Sequence, residues 1–347
     1  MPQITRRQAL TGLAASAAVV AVPGRSRAGT AAGPYPASDP MNTGGWALDP
    51  RFSDEFAGRH LDASKWYDHI TYWDGRAPSY FDPANIRLHS GTAVIPFRNL
   101  NAIANPSFQD GLSLWQTAGG VRTVAEGSVS PMALQLDPGA EASQRIGGLR
   151  PNTDYRLSGY WKAAAGTLRV TGYDDNRSAE LPVTSTGFAP FGLTFHTGPG
   201  SRSATVSVVG PASGGTAEVT MVSVVEVGEN APVGSYFSTG AIQSKVQAQY
   251  GYYEVRARIA DSSSTSSFWF QGSESEIDVM ECVGNSILDP GYGSIMPINL
   301  HYFPGGWAND QAFPELYDTG IRLADGFHVF GLDWRADSIR FYFDGQL

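Results

Sequence analysis

Through the middle of the chain, apolar side chains return at every second position in run after run. "ALQL", "DYRLSGYWKA", "GTLRVTGYDD", "FGLTFHT", "SATVSVVG" and "AEVTMVSVVEV" follow one another, separated by Gly, Pro, Asn and Asp. A period of two coats one face of a strand, whereas an amphipathic helix needs a period near 3.6. Val, Ile, Thr, Tyr and Phe fill these runs, and such residues suit a pleated surface. With 40 glycines and 22 prolines to supply turns, the chain is expected to be all-β. Its 347 residues, 42% of them hydrophobic, suffice for one large core or two ordinary ones.

Two textures alternate along the chain. Residues 45–100 are aromatic and charged, as in "FSDEFAGRHLDASKWYDHITYWDGRAPSYFDP", and the same texture returns over 230–347. Between them, 101–229 holds the smooth alternating runs, whose spacing suits a β-sandwich. A compact module can sit in a surface loop of a host when its termini lie close together. The expected organisation is therefore a host of residues 45–100 and 230–347, interrupted by an inserted sandwich at 101–229.

The N-terminus reads as a leader. "ITRRQALTGLAASAAVVAVPG" sets Arg6 and Arg7 before an apolar stretch too short to span a bilayer. That pattern fits twin-arginine export of a folded protein, with cleavage after Ala28 and a linker over 29–44. Removing residues 1–28 takes away four arginines and no acid, moving the formal charge from −9 to −13. Such a surface repels nucleic acid and anionic membranes, so neither is expected as a partner. The single cysteine, Cys282, rules out an internal disulfide and a Cys-rich metal site.

One strand-like run carries acids. "SESEIDVMEC", residues 273–282, contains Glu276, Asp278 and Glu281. Residues two apart share a strand face, so Glu276 and Asp278 lie together and Glu281 falls on the opposite side. A β-bulge around Val279 and Met280 would bring it back. Three acids on one face raise one another's proton affinity, and a glycosidase needs that condition: one carboxylate ionised, a second protonated. Spacing alone leaves two other readings open, a solvent-facing strand with unrelated acids and a three-acid divalent-cation site.

"EIDVME" resembles the E-x-D-x-x-E signature of glycoside hydrolase family 16. "FSDEF", "LDASKW", "WDGRAPSYF", "NIRLHSGTAVI", "TGAIQSK", "YGYYEVRARI", "SSFWF" and "FHVFGLDWRADSIRFYFDG" follow in the order of that family. The resemblance implies a concanavalin-like β-jelly-roll of two curved antiparallel sheets, interrupted by the second β-sandwich. It also implies Glu276 as nucleophile, Asp278 as the assistant that tunes it and Glu281 as general acid/base. "WDGRAPSYF" with "SSFWF" resembles the β-agarase and porphyranase branch that acts on marine galactans. It further implies strands beyond the present end, so that the jelly-roll is expected to be truncated at its C-terminus. No cofactor is required, no metal ligand is assigned, and a structural calcium ion is compatible with the family.

Sugar rings stack their C–H faces on aromatic side chains. Trp73 with Arg76, and Trp269, are candidate substrate contacts, and in "INLHYF" Asn299 and His301 share one face, with His301 expected beside the acids. The inserted tract resembles carbohydrate-binding modules through "NPSFQDGLSLW" and "GLRPNTDYRLSGYWKA". Trp115, Tyr160, Trp161 and Tyr173 are its candidate sugar platforms or core residues. The expected protein is an exported, monomeric, retaining endo-glycosidase of an agar-type galactan, its partner a polysaccharide. The competing expectations are a lectin-like binding protein and a family 16 enzyme of other specificity: carrageenase, laminarinase or transglycosylase.

Overall fold

The computed structural model describes residues 16–17, 35–174 and 177–347. The expected leader, apart from residues 16 and 17, and the start of the linker lie outside them. The chain is nearly all β, and no helix among the described residues is long and apolar enough to cross a membrane. Among the described residues it forms two compact units. One comprises Arg76–Tyr80 and Arg98–Ser238, the other the chain up to Gly75 with Phe81–Phe97 and Thr239–Leu347.

The first unit is a β-sandwich of ten strands. In chain order they are β1 (Gln116–Ala118), β2 (Val121–Ala125), β3 (Met132–Leu136), β4 (Glu141–Gly147) and β5 (Asp154–Ala163). There follow β6 (Thr167–Thr171), β7 (Ser178–Pro182), β8 (Ser185–His196), β9 (Ser203–Val209) and β10 (Ala217–Glu226). One sheet runs β7-β6-β9-β4-β1 and the other β8-β5-β10-β3-β2, all neighbours antiparallel. Alternation aims Leu157 and Trp161 of β5, Leu168 and Val170 of β6, and Val206 and Val208 of β9 into one core. Trp161 is 1% exposed. A side chain at Gly166 would collide with its indole and with the Val209 carbonyl, so the missing Cβ makes the room this ring fills.

Of the four aromatic residues weighed as sugar platforms, Trp115, Trp161 and Tyr173 are core. Tyr160 packs against a smaller cluster of Tyr80, Met221, Val225, Ala231 and Tyr236. Alternation could not separate a platform from a core residue, because both faces of β5 carry aromatics. From β4, the buried Gln144 side chain accepts from the Ala104 amide and donates to the Ala104 carbonyl, doing for a loop what a ladder does for a strand.

The second unit sets two antiparallel sheets face to face, as in a jelly-roll. The first sheet contains β12 (Thr265–Gln271), β13 (Ser275–Val283) and β14 (Ile295–Tyr302), with β15 (Gln311–Ala312) and β16 (Glu315–Asp318) both pairing β14. The second contains β11 (Gly251–Ala257), β17 (His328–Trp334) and β18 (Ile339–Phe343). Ile277, Val279, Met280 and Cys282 of β13 and Met296 of β14 pack on Ala257 of β11 and Phe330 and Leu332 of β17. The core thus takes one face of the β12–β13–β14 sheet and leaves the other for polar side chains.

Candidate active site

The pairing of β12 with β13 shows how the three acids reach a common face. Gln271 lies opposite Glu276 and Trp269 opposite Asp278, then Phe268 opposite Met280 and Ser267 opposite Glu281, with a register shift between Phe268 and Trp269. Val279 is therefore the extra residue of a bulge. Ser267, Trp269 and Gln271 alternate along one face of β12, so their partners Glu281, Asp278 and Glu276 share that face. Both Val279 and Met280 are fully buried, while Glu281 beyond them is exposed.

Strand β14 completes the floor. His301 lies opposite Glu276 and Asn299 opposite Asp278, so two rungs cross three strands: Gln271–Glu276–His301 and Trp269–Asp278–Asn299. This brings the candidates Trp269, Asn299 and His301 together with the acids. Trp73 is half-buried and meets Phe81 edge to face at 5.2 Å. Arg76 is exposed and belongs to the first unit.

The three acids differ in exposure. Asp278 is 2% exposed, Glu276 is half-buried and Glu281 is exposed. Burial first, and the charge of Asp278 next, push the Glu276 carboxyl up to about 8, and the Asp278 side chain hydrogen-bonds the protonated form. Glu276 is thus held largely protonated at neutral pH. His301 opposes this with positive charge. Its contact with Asp278 first, and with Asp310 after it, push the imidazole up to about 9 against the effect of burial. Nε2 lies 3.3 Å from Oδ2 of Asp278, and Nδ1 lies 2.9 Å and 3.0 Å from the two Asp310 oxygens.

Asn299 fits a doubly protonated ring. With its Nδ2 2.7 Å from Nε2 of His301, two donors face each other and the buried Oδ1 has no partner. With the amide turned over, Oδ1 accepts the Nε2 proton and the clash of two donors is removed. One donor atom each from Glu276, Asp278 and His301 lies within 4.8 Å of the others, the spread of a three-point cation site.

Sequence reasoning missed three neighbours of the acids. Tyr72, 57% exposed, has its phenol pushed up to about 12 by burial and by the Glu276 charge. Trp307 stands edge to face on His301 at 5.5 Å and stacks on Phe303 at 4.0 Å. Asp310 grips the far side of His301. All three come from loops, where no periodicity marks a residue; only the adjacency of Tyr72 to Trp73 in "ITYWDG" could have drawn notice.

The raised carboxyl has a cost to stability that can be measured. Between about pH 4.5 and pH 8 folded Glu276 keeps a proton that the unfolded chain has released, so stability falls as pH rises through that window. His301, raised above its unfolded value, stabilises fully below about pH 6.5 and loses that contribution as pH climbs through about 9. Glutamine is neutral at every pH and can still donate to Asp278. Glu276→Gln should therefore melt above wild type, with a gain that widens from pH 5 to pH 9 in thermal scans. A difference independent of pH would contradict the assigned direction.

Known proteins share part of this chain. The family model described as the GH16 domain of β-porphyranases A–D matches residues 205–347. The chain is 48% identical over 46 residues to β-porphyranase D of Zobellia galactanivorans, covering 13% of this chain and 11% of that protein. A β-glucanase of Bacillus amyloliquefaciens is 29% identical over 138 residues, 36% of this chain and 53% of that one. β-Porphyranase B of Phocaeicola plebeius is 27% identical over 143 residues, 31% and 43% of the respective chains. The chain spans about half or less of the length of these curated relatives.

Proposed function

We propose, from the match of residues 205–347 to the GH16 domain of β-porphyranases A–D, that the chain hydrolyses β-linkages of an agar-type galactan, porphyran or agarose, by double displacement. The observation that carries the reading is the single polar face on which Glu276, Asp278 and Glu281 stand together. Glu276, as carboxylate, attacks the anomeric carbon while Glu281 gives its proton to the departing glycosidic oxygen. Water then attacks the glycosyl ester, losing its proton to Glu281 and releasing Glu276. Glu281 gives a proton to the leaving oxygen in the first step and takes one from the attacking water in the second, and that acid is the exposed one. Asp278 is too buried to reach a substrate readily; its role is to tune Glu276, whose proton must leave before it can attack.

Galactan specificity draws on the porphyranase relatives and on "WDGRAPSYF" with "SSFWF". In the same reading the sandwich is an inserted module that holds the enzyme on polysaccharide, and the leader exports the folded monomer. The test is to incubate the purified chain with porphyran, agarose, κ-carrageenan and laminarin, to assay new reducing ends, and to follow fresh product by proton NMR. Reducing ends from porphyran or agarose, first seen in the β configuration, are expected. Binding without cleavage of any polysaccharide would identify a lectin-like protein, and inverted product would rule out a covalent intermediate.

A further inference from the structure

Asp310 sits outside the catalytic strand, at the end of a turn pinned at several points. Phe303 donates to the Glu274 carbonyl, Gly305 to the Glu274 carboxylate, Gly306 to Phe303 and Asp310 to Trp307, while the Asn309 side chain donates to Pro304. The turn also places Trp307 against the imidazole of His301. Asp310 therefore meets His301 from a fixed position, with both carboxylate oxygens within 3.0 Å of Nδ1 and both side chains largely shielded from water.

We propose that Asp310 is a positioning residue for the acid pair: it orients His301 and supplies the negative charge that makes the ring a cation, and the cation in turn favours the ionised form of Glu276. Several groups face the ring. Asp278 and Asn299 face Nε2, Asp310 faces Nδ1, Trp307 covers an edge, and Glu276 lies across the ladder, itself faced by Asp278, Glu281 and Tyr72. Glu276 is under two repelling carboxylates and a burial cost, and His301 is the group that eases ionisation there. A neutral ring would leave Glu276 protonated to higher pH, and a protonated carboxyl is no nucleophile. The charge of the ring can be read without substrate; its consequence for turnover rests on the glycosidase reading.

The experiment compares wild type with Asp310→Asn and Asp310→Glu. The chain has six histidines, and His301 is assigned in proton–carbon spectra by the signal lost in His301→Gln. Removing the Asp310 charge should lower the His301 titration midpoint by roughly one to three pH units. Asp310→Glu, which keeps the charge on a longer arm, should stay near wild type. On porphyran, the acidic limb of kcat/KM should move to higher pH in Asp310→Asn, while far-ultraviolet circular dichroism is unchanged. An unmoved His301 midpoint in Asp310→Asn, an equal fall in Asp310→Glu, or a moved midpoint with an unmoved acidic limb would each overturn the proposal. Failure to cleave porphyran would count against the functional reading and leave the titration arm to decide the role of Asp310.

Discussion

If the proposed double displacement holds, Glu276→Gln and Glu281→Gln will each lower turnover of the cleaved polysaccharide by about 100-fold or more, the loss expected when a nucleophile or a general acid is removed. Both substitutions keep the shape of the side chain and neither touches the core, since the three acids stand on the face of β13 opposite Ile277, Met280 and Cys282. The two variants should differ in an informative way on an aryl glycoside with a good leaving group. Such a group departs without a proton, so Glu281→Gln should form the glycosyl ester quickly and stall in its hydrolysis, giving a burst of aryl product. Glu276→Gln has no carboxylate to receive the sugar and should give no burst. Near-wild-type turnover in either variant, or a burst from Glu276→Gln alone, would mean that the roles are wrongly assigned.

Replacing Trp161 with alanine is expected to cost the sandwich about 3–5 kcal/mol. The indole is buried in one core with Leu157, Leu168, Val170 and Val208. Its indole nitrogen is buried without a hydrogen-bond partner, so truncation forfeits packing and no polar contact. If the sandwich is an inserted module with its own cooperative unfolding, calorimetry should show two transitions in wild type. One of them should fall by roughly 10 °C or more in the variant while the other holds. A single transition that moves as a whole would argue that the two units unfold together. An unshifted melt would contradict the placement of this ring.

Local periodicity makes part of this protein legible in the amino-acid sequence. A two-residue repeat announces a strand wherever one face is buried, and it identifies β5, β6, β9 and β10. It also flags the odd spacing of Glu281 from Asp278, whose resolution by a bulge at Val279 follows from the need to keep an acid out of a core. The same reasoning reaches Asn299 and His301, since both belong to one strand and differ by two. It stops at loops. Asp310 and Trp307 meet His301 because a turn folds back over β14, and Tyr72 feels the charge of Glu276 from a segment about 200 residues away in sequence. Nothing in the spacing of such residues encodes the contact. Aromatics fall between these extremes. Trp269 is placed by its ladder partner, but Trp115, Trp161 and Tyr173 read equally well as surface platforms and are core.

The bulge at Val279 can also be seen as a matter of parity. Glu276 and Asp278 are separated by an even step, whereas Glu281 follows Asp278 by an odd one, and only an uncounted residue reconciles the two. An even step needs no such correction: with Val279 absent, the same acids would occupy alternate positions of an unbroken ladder and would still look outward. Loss of Ile277, by contrast, would leave Glu276 and Asp278 adjacent and turn one of them into the core. The outward placement of the three acids thus tolerates loss of one residue between the second acid and the third but not between the first and the second, although the tolerated loss takes a buried side chain out of the core.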